Sequence, residues 1–313
     1  MRHLLRQILA PAAALVLSAA VLFGTMEAPA AAGPTGFTTV LVGDVTCQLA
    51  QVDLSTGALT PFGPVSANHC AVDLAFAPDG TLYGMVAGPE RTSPESPLLF
   101  MQLVRFDTTT GAVTVVGQIT TFGFGVLSIN AGGLAFDNTG TFYAQFASGD
   151  PNCSTTGQFC LYRVDPGNPA AATLVGTVPP TDTAFRGLAG ACDGRVLTER
   201  QPLQVEVDSF LELENQQNAQ VTTIGRIGPT GTLLDGFDFD TAGNLWGVGV
   251  TDNMSPPKVF AVDQSTGAGT PGATITGAPQ GTLSALAVAP LACAPAPAPA
   301  APPVVVVGPI FTG

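Results

Sequence analysis

One short pattern recurs along this chain and limits its fold more than any other feature. Val72 to Tyr83 reads VDLAFAPDGTLY and Gly132 to Tyr143 reads GGLAFDNTGTFY. Arg186 to Val196 reads RGLAGACDGRV, Asp235 to Trp246 reads DGFDFDTAGNLW, and a partial copy, SALAVAP, runs from Ser284 to Pro290. The matched positions Leu74, Leu134, Leu188, Phe237 and Leu286 are 60, 54, 49 and 49 residues apart. A period of that size is the mark of a repeat whose units each hold several strands.

A second pattern falls between the copies. An alternating apolar run ends in an acid and a turn at Leu49 to Asp53, Leu103 to Asp107, Leu161 to Asp165, Leu211 to Glu214 and Val259 to Asp263. Carboxylates there are expected to accept turn amides while Gly57, Gly111 and Gly267 supply positive φ, so Asp53, Asp107, Asp165, Glu214 and Asp263 are read as turn formers. A further β-like run follows each, as in Val113 to Gly117 and Val221 to Gly225. One repeat thus predicts four strands of period-2 alternation and no helix.

The count comes from the chain ends. Thr38 to Gly43, Leu49 to Asp53 and Ala58 to Gly63 supply strands two, three and four of a unit without strand one, and Ser284 to Pro290 supplies a strand one with nothing behind it. Joined, they predict an all-β fold: a five-bladed β-propeller of four-stranded blades, closed by the three N-terminal strands and the C-terminal strand. From residue 38 to 293 the chain resembles bacterial exported propellers of the NHL, YVTN and gluconolactonase-like kinds. That resemblance implies architecture; such propellers include binding scaffolds, hydrolases and lyases. Gluconolactonase-like enzymes hold a divalent metal on Glu, Asn and Asp. Asp73, Asn130 and Asp235 would imitate part of that set, without a matching glutamate at a strand entry.

Residues 1–32 differ from the rest: Arg2 and Arg6 precede an apolar run from Ile8 to Gly24 and small residues around Ala30. This predicts a secretory signal peptide, with a propeller domain over 33–293 and a Pro/Ala-rich disordered tail over 294–313. Cleavage leaves 8 basic and 22 acidic residues, a net charge of −14. Such a surface argues against nucleic acid or anionic lipid as partner. The expected setting is extracellular or cell envelope, as a monomer with no membrane span after cleavage, and the ligand is an unspecified protein, small molecule or carbohydrate.

Six cysteines in an exported chain imply disulfides. Cys47 and Cys70 fall in loops on one face, Cys153 and Cys160 share a loop, and Cys192 and Cys293 lie at the opposite ends of innermost strands, so these are the expected pairs.

Signatures of known chemistry are few. There is no GxSxG elbow, HExxH, Walker or calcium-loop motif, and His69, beside Cys70, is the lone histidine after residue 32. No cofactor is expected, with Ca²⁺ the only weak candidate. Phe122 and Phe124 mark a possible contact patch in a glycine-rich loop. The polar residues at innermost-strand entries, Asp73, Asn130, Asp182, Arg186, Asp235 and Ser284, form the candidate ligand site at the channel mouth. A binding module is the favoured reading, and a hydrolase or lyase with a polar, metal-assisted site at that mouth is the alternative.

Overall fold

The computed structural model describes residues 33–42, 46–67, 70–88, 91–93, 96–98, 100–119, 132–153, 158–179, 183–202, 208–252, 255–277 and 283–288. Residues 1–32, expected as a signal peptide, the expected tail 294–313, His69, Phe122, Phe124 and Cys293 lie outside them. Among the described residues no helix is long and apolar enough to cross a membrane.

The described residues are all-β, with a short 3₁₀ turn at Pro169–Ala171. Strands β1 (Thr35–Leu41), β2 (Thr46–Asp53) and β3 (Leu59–Ala67) come first. Then follow β4 (Ala71–Phe76), β5 (Leu82–Ala87), a small hairpin of β6 (Arg91–Ser93) and β7 (Ser96–Leu98), β8 (Met101–Phe106) and β9 (Val113–Gln118). Next are β10 (Gly132–Phe136), β11 (Phe142–Ala147), β12 (Phe159–Val164) and β13 (Thr173–Thr177), then β14 (Thr183–Gly190), β15 (Val196–Pro202), β16 (Phe210–Glu214) and β17 (Val221–Arg226). β18 (Leu233–Phe239), β19 (Leu245–Val250), β20 (Lys258–Val262), β21 (Gly269–Thr274) and β22 (Leu283–Val288) complete the order.

These strands pair as four-stranded sheets β4-β5-β8-β9, β18-β19-β20-β21 and β22-β1-β2-β3, plus an eight-stranded sheet. The last consists of two antiparallel halves, β10 to β13 and β14 to β17, joined by one parallel bridge between Gly132 and Arg186. The first strands lie side by side: β4 next to β10, β10 next to β14, β14 next to β18, β18 next to β22, and β22 next to β4. Sheets stacked in this way are of propeller type.

The sequence pattern explains why the strands face as they do. Alternate side chains of each sheet enter an apolar layer shared with the next, such as Met85, Leu103, Leu134, Phe146 and Tyr162 in one seam and Leu197, Leu211, Phe237 and Phe260 in another. Removing one of these, Leu134→Ala for example, carries a cost of about 2–5 kcal/mol. Tyr143 is buried in another such layer. The outermost strands β3, β9 and β21 are exposed or half-buried, and Pro61, Pro64 and Pro271 lie within two of them. Proline withholds an N–H from an edge that would otherwise recruit another strand.

Turn chemistry follows the expected roles with one correction. Asp53, Asp107 and Asp263 each accept amides two and three residues on, at 2.8–3.2 Å, and the following Gly57, Gly111 and Gly267 have φ of 72°, 69° and 76°. Glu214 does not take this role. Asn215 does, accepting from the Gln217 amide at 2.8 Å, and Ala219, at φ 56°, stands where the other copies have glycine. The register had to shift by one because Leu211-Glu-Leu-Glu214 is followed by Asn rather than preceded by the turn acid, and this leaves Glu214 inside.

Cys47 is joined to Cys70, and Cys153 to Cys160. Cys47 and Cys160 sit within β2 and β12 rather than in loops, since pairing with Ser66 and Thr177 extends those strands. Cys192 is also disulfide-bonded.

Candidate functional site

The innermost strands approach one another so closely that only small residues fit at most of their second positions. A Cβ on Gly133 would come within 2.5 Å of the Gly187 and Leu188 backbone, and one on Gly236 within 2.3 Å of Ala285 and Leu286. Asp73 occupies the same slot in β4, and its carboxylate fills the space that its counterparts leave. Its Oδ2 accepts the amides of Leu134 at 2.7 Å and Leu188 at 3.0 Å, tying β4 to β10 and β14. Burial pushes its carboxyl well above the ordinary range, against the pull of those amides. Asp238 makes a like link from β18 to β22, accepting the Val288 amide at 2.9 Å, and burial raises it to about 7.

Of the six residues expected at the mouth, Asn130 and Asp182 lie outside the described residues. Asp73 is fully buried rather than at an open mouth. Ser284 donates to the Ala71 carbonyl at 2.8 Å and shares a 3.1 Å bond with Thr39, so it stitches β22 to β1 and β4. Arg186 and Asp235 alone come together, at 3.5 Å, with side chains 28% and 21% exposed.

A residue not foreseen joins this pair. Glu199, on β15 opposite Arg186, is fully buried, and its Oε1 receives the Leu234 amide of β18 at 3.3 Å. Burial raises its carboxyl to about 7, tempered by Ser209, Arg186 and the Leu234 amide and reinforced by Asp235. Asp235 itself is raised to about 6 by burial, with Arg186 opposing. Two carboxyls that titrate close to neutrality beside one guanidinium are a mark of functional sites.

Register shows how unusual this place is. Glu199 stands in the slot of Met85, Gln145 and Val248, Gln201 in that of Ala87 and Ala147, and Ser209 in that of Met101 and Phe159. Buried polar atoms in native proteins nearly always have partners. Among the described residues nine such side-chain atoms lack one; Arg186 Nε, Glu199 Oε2, Gln201 Oε1 and Ser209 Oγ lie in the seam between β14–β16 and β18, with Thr232 Oγ1 at the head of β18. Ser209 sits near enough to Glu199 to favour its charged form, although its hydroxyl falls outside hydrogen-bond geometry.

The other face of β15 is partnered only in part, since Gln145 Nε2 and both Glu214 oxygens lack a hydrogen bond. Thr198 donates to Gln145 at 2.9 Å, and Arg200 pairs with the buried Glu212 at 2.5 Å while lying 4.5 Å from the Phe210 ring centroid. The seam facing β18 differs in holding its unpartnered atoms beside a part-exposed ion pair. Among the described residues no three His, Cys, Asp or Glu side chains gather as a metal site.

Fold and seam together define an all-β protein of propeller type with a polar site between two sheets. No protein-family model matches the chain, and no curated protein matches it. Among solved structures it is similar to a candidate 6-phosphogluconolactonase from Bacteroides uniformis, at 12% identity over 77% of this chain and 95% of that one, with a TM-score of 0.41. A protein of unknown function from Dyadobacter fermentans matches at 12% over 64% and 67%, with a TM-score of 0.45. An oligogalacturonate lyase in complex with manganese matches at 14% over 74% and 62%, with a TM-score of 0.36. None of these proteins lends its chemistry to this chain.

Proposed function

We propose that the protein is an exported five-bladed β-propeller, closed by β22 on β1, that works as a binding module. Its ligand enters past Arg186 and Asp235 into the seam between the blade β14–β17 and the blade β18–β21. Five blades are supported by the cycle of neighbouring first strands, in which β10 and β14 head separate blades joined by one bridge. Export is supported by the basic and apolar leader of residues 1–32 and by the disulfides Cys47–Cys70 and Cys153–Cys160. The observation that carries the site is the concentration of unpartnered buried polar atoms beside a part-exposed ion pair.

The test is a thermal-shift screen of small polar metabolites against the mature protein. A ligand of this site at a hundredfold excess over Kd raises Tm by roughly 5–10 °C. Asp235→Asn and Arg186→Ala remove that shift. A ligand whose effect survives both substitutions binds elsewhere, and the seam is then not the site.

A second reading, a hydrolase or lyase, is favoured by one observation: Glu199 at about 7 and Asp235 at about 6 are poised for proton transfer near neutral pH. It requires turnover that Glu199→Gln abolishes. If a metal assisted, Tm would respond to calcium or to a chelator; the binding reading expects no response to either.

A further inference from the structure

Resting on the seam as the binding site, we infer that its occupant carries a primary ammonium group at the end of a slim chain. The unpartnered atoms set the chemistry. Glu199 Oε2 and Gln201 Oε1 are acceptors without donors, Ser209 Oγ is an unpartnered hydroxyl that can accept as well as donate, and Arg186 Nε is a donor without an acceptor; an alkylammonium brings three N–H donors for the three oxygens. Charge agrees with this. Arg186 and Asp235 offset each other at 3.5 Å, so an ionised Glu199 leaves the seam one negative charge in excess, which one ammonium neutralises. The protein's formal charge of −13 favours the approach of a cation.

Entry also limits the shape. The side chains of Arg186 and Asp235 are part-exposed, whereas Glu199 and Ser209 behind them are fully buried. A terminal –CH₂–NH₃⁺ reaches inward past the pair to the buried oxygens. A bound ammonium rewards the ionised form of Glu199. The charged groups facing that carboxyl, Arg186 from β14 and Asp235 from β18, already act on it in opposite directions.

The experiment titrates the mature protein with n-butylammonium chloride at pH 6 and pH 8, following Glu199 and neighbouring amides by NMR. Tetramethylammonium chloride, of equal charge with no N–H, is the control. Saturable binding of butylammonium alone is expected, strengthening about tenfold from pH 6 to pH 8 as Glu199 ionises. The amine itself stays protonated in that range. Glu199→Gln removes the pH dependence and most of the affinity. Ser209→Ala weakens binding severalfold, so the idea stays testable if the Glu199 variant folds poorly.

Equal binding of tetramethylammonium, affinity independent of pH, or no saturable binding would each overturn the ammonium assignment. The binding-module reading falls separately, if no compound in the thermal screen loses its effect on substitution of Arg186 or Asp235.

Discussion

Glu214 shows how much a single buried side chain can decide. Its slot belongs to Phe106, Val164 and Val262 in the neighbouring sheets, yet it carries a carboxyl with neither oxygen partnered among the described residues. Burial raises that carboxyl to about 8, so it is a neutral acid at pH 7 and below. The group is charged in the unfolded chain above its ordinary value of 4.5, and the folded chain must hold its proton or bury a charge. Glu214→Val is therefore expected to stabilise the fold by about 2 kcal/mol or more at pH 8, and by less at pH 5. Urea unfolding at both values checks this; a destabilised variant at pH 8 would assign Glu214 a partner beyond the described residues.

At the scale of the elements, most of the architecture was legible and most of the site was not, for one physical reason. The apolar position of each copy, from Leu74 to Leu286, repeats because every first strand faces the same kind of seam, so period and hairpins could be read directly. Arg186 and Asp235 were legible as polar residues at strand entries. Glu199, Gln201 and Ser209 were not singled out, because they lie on strands where the pattern looks merely irregular. The signal was there: Thr198-Glu-Arg-Gln201 stands against Gly84-Met-Val-Ala87 and Ala144-Gln-Phe-Ala147. A carboxyl in a slot that its counterparts fill with uncharged Met, Gln or Val marks a place where packing has yielded to another demand. Asp73 was misplaced because sequence does not show how closely the glycines of other strands let it come to their amides. The covalent tie Cys47–Cys70 belongs to this scale too, since it fastens β2 to the entry of β4 in the next sheet. Replacing both by Ser is expected to cost about 2–4 kcal/mol in denaturant unfolding. A loss well below that would mean the seam holds without it.

For the whole molecule, the buried carboxyls oppose the turn carboxylates. Asp235, Asp238, Glu199 and Glu214 are raised to about 6, 7, 7 and 8, so unfolding at neutral pH releases protons and stability falls as pH rises from about 4 through that window. Asp53, Asp107 and Asp263 are held below 3.8 by hydrogen bonds from Ser55, from the Thr110 and Thr109 amides, and from Ser265, and their contribution is lost as pH falls below that value. The expected optimum lies between about pH 4 and 6, with a higher Tm at pH 5 than at pH 8. A Tm that climbs steadily from pH 5 to pH 8 would contradict it.

The closing sheet has a consequence for the life of the nascent chain. β1 receives its partner from 246 residues away, where Thr38 meets Ser284, so the first strand made must wait for nearly the last. Until then its free edge is a row of unanswered amides and carbonyls. A chain cut short before Leu283 is a receptor for a loose strand, and a synthetic LSALAV peptide, copying Leu283–Val288, is the guest it is shaped to accept.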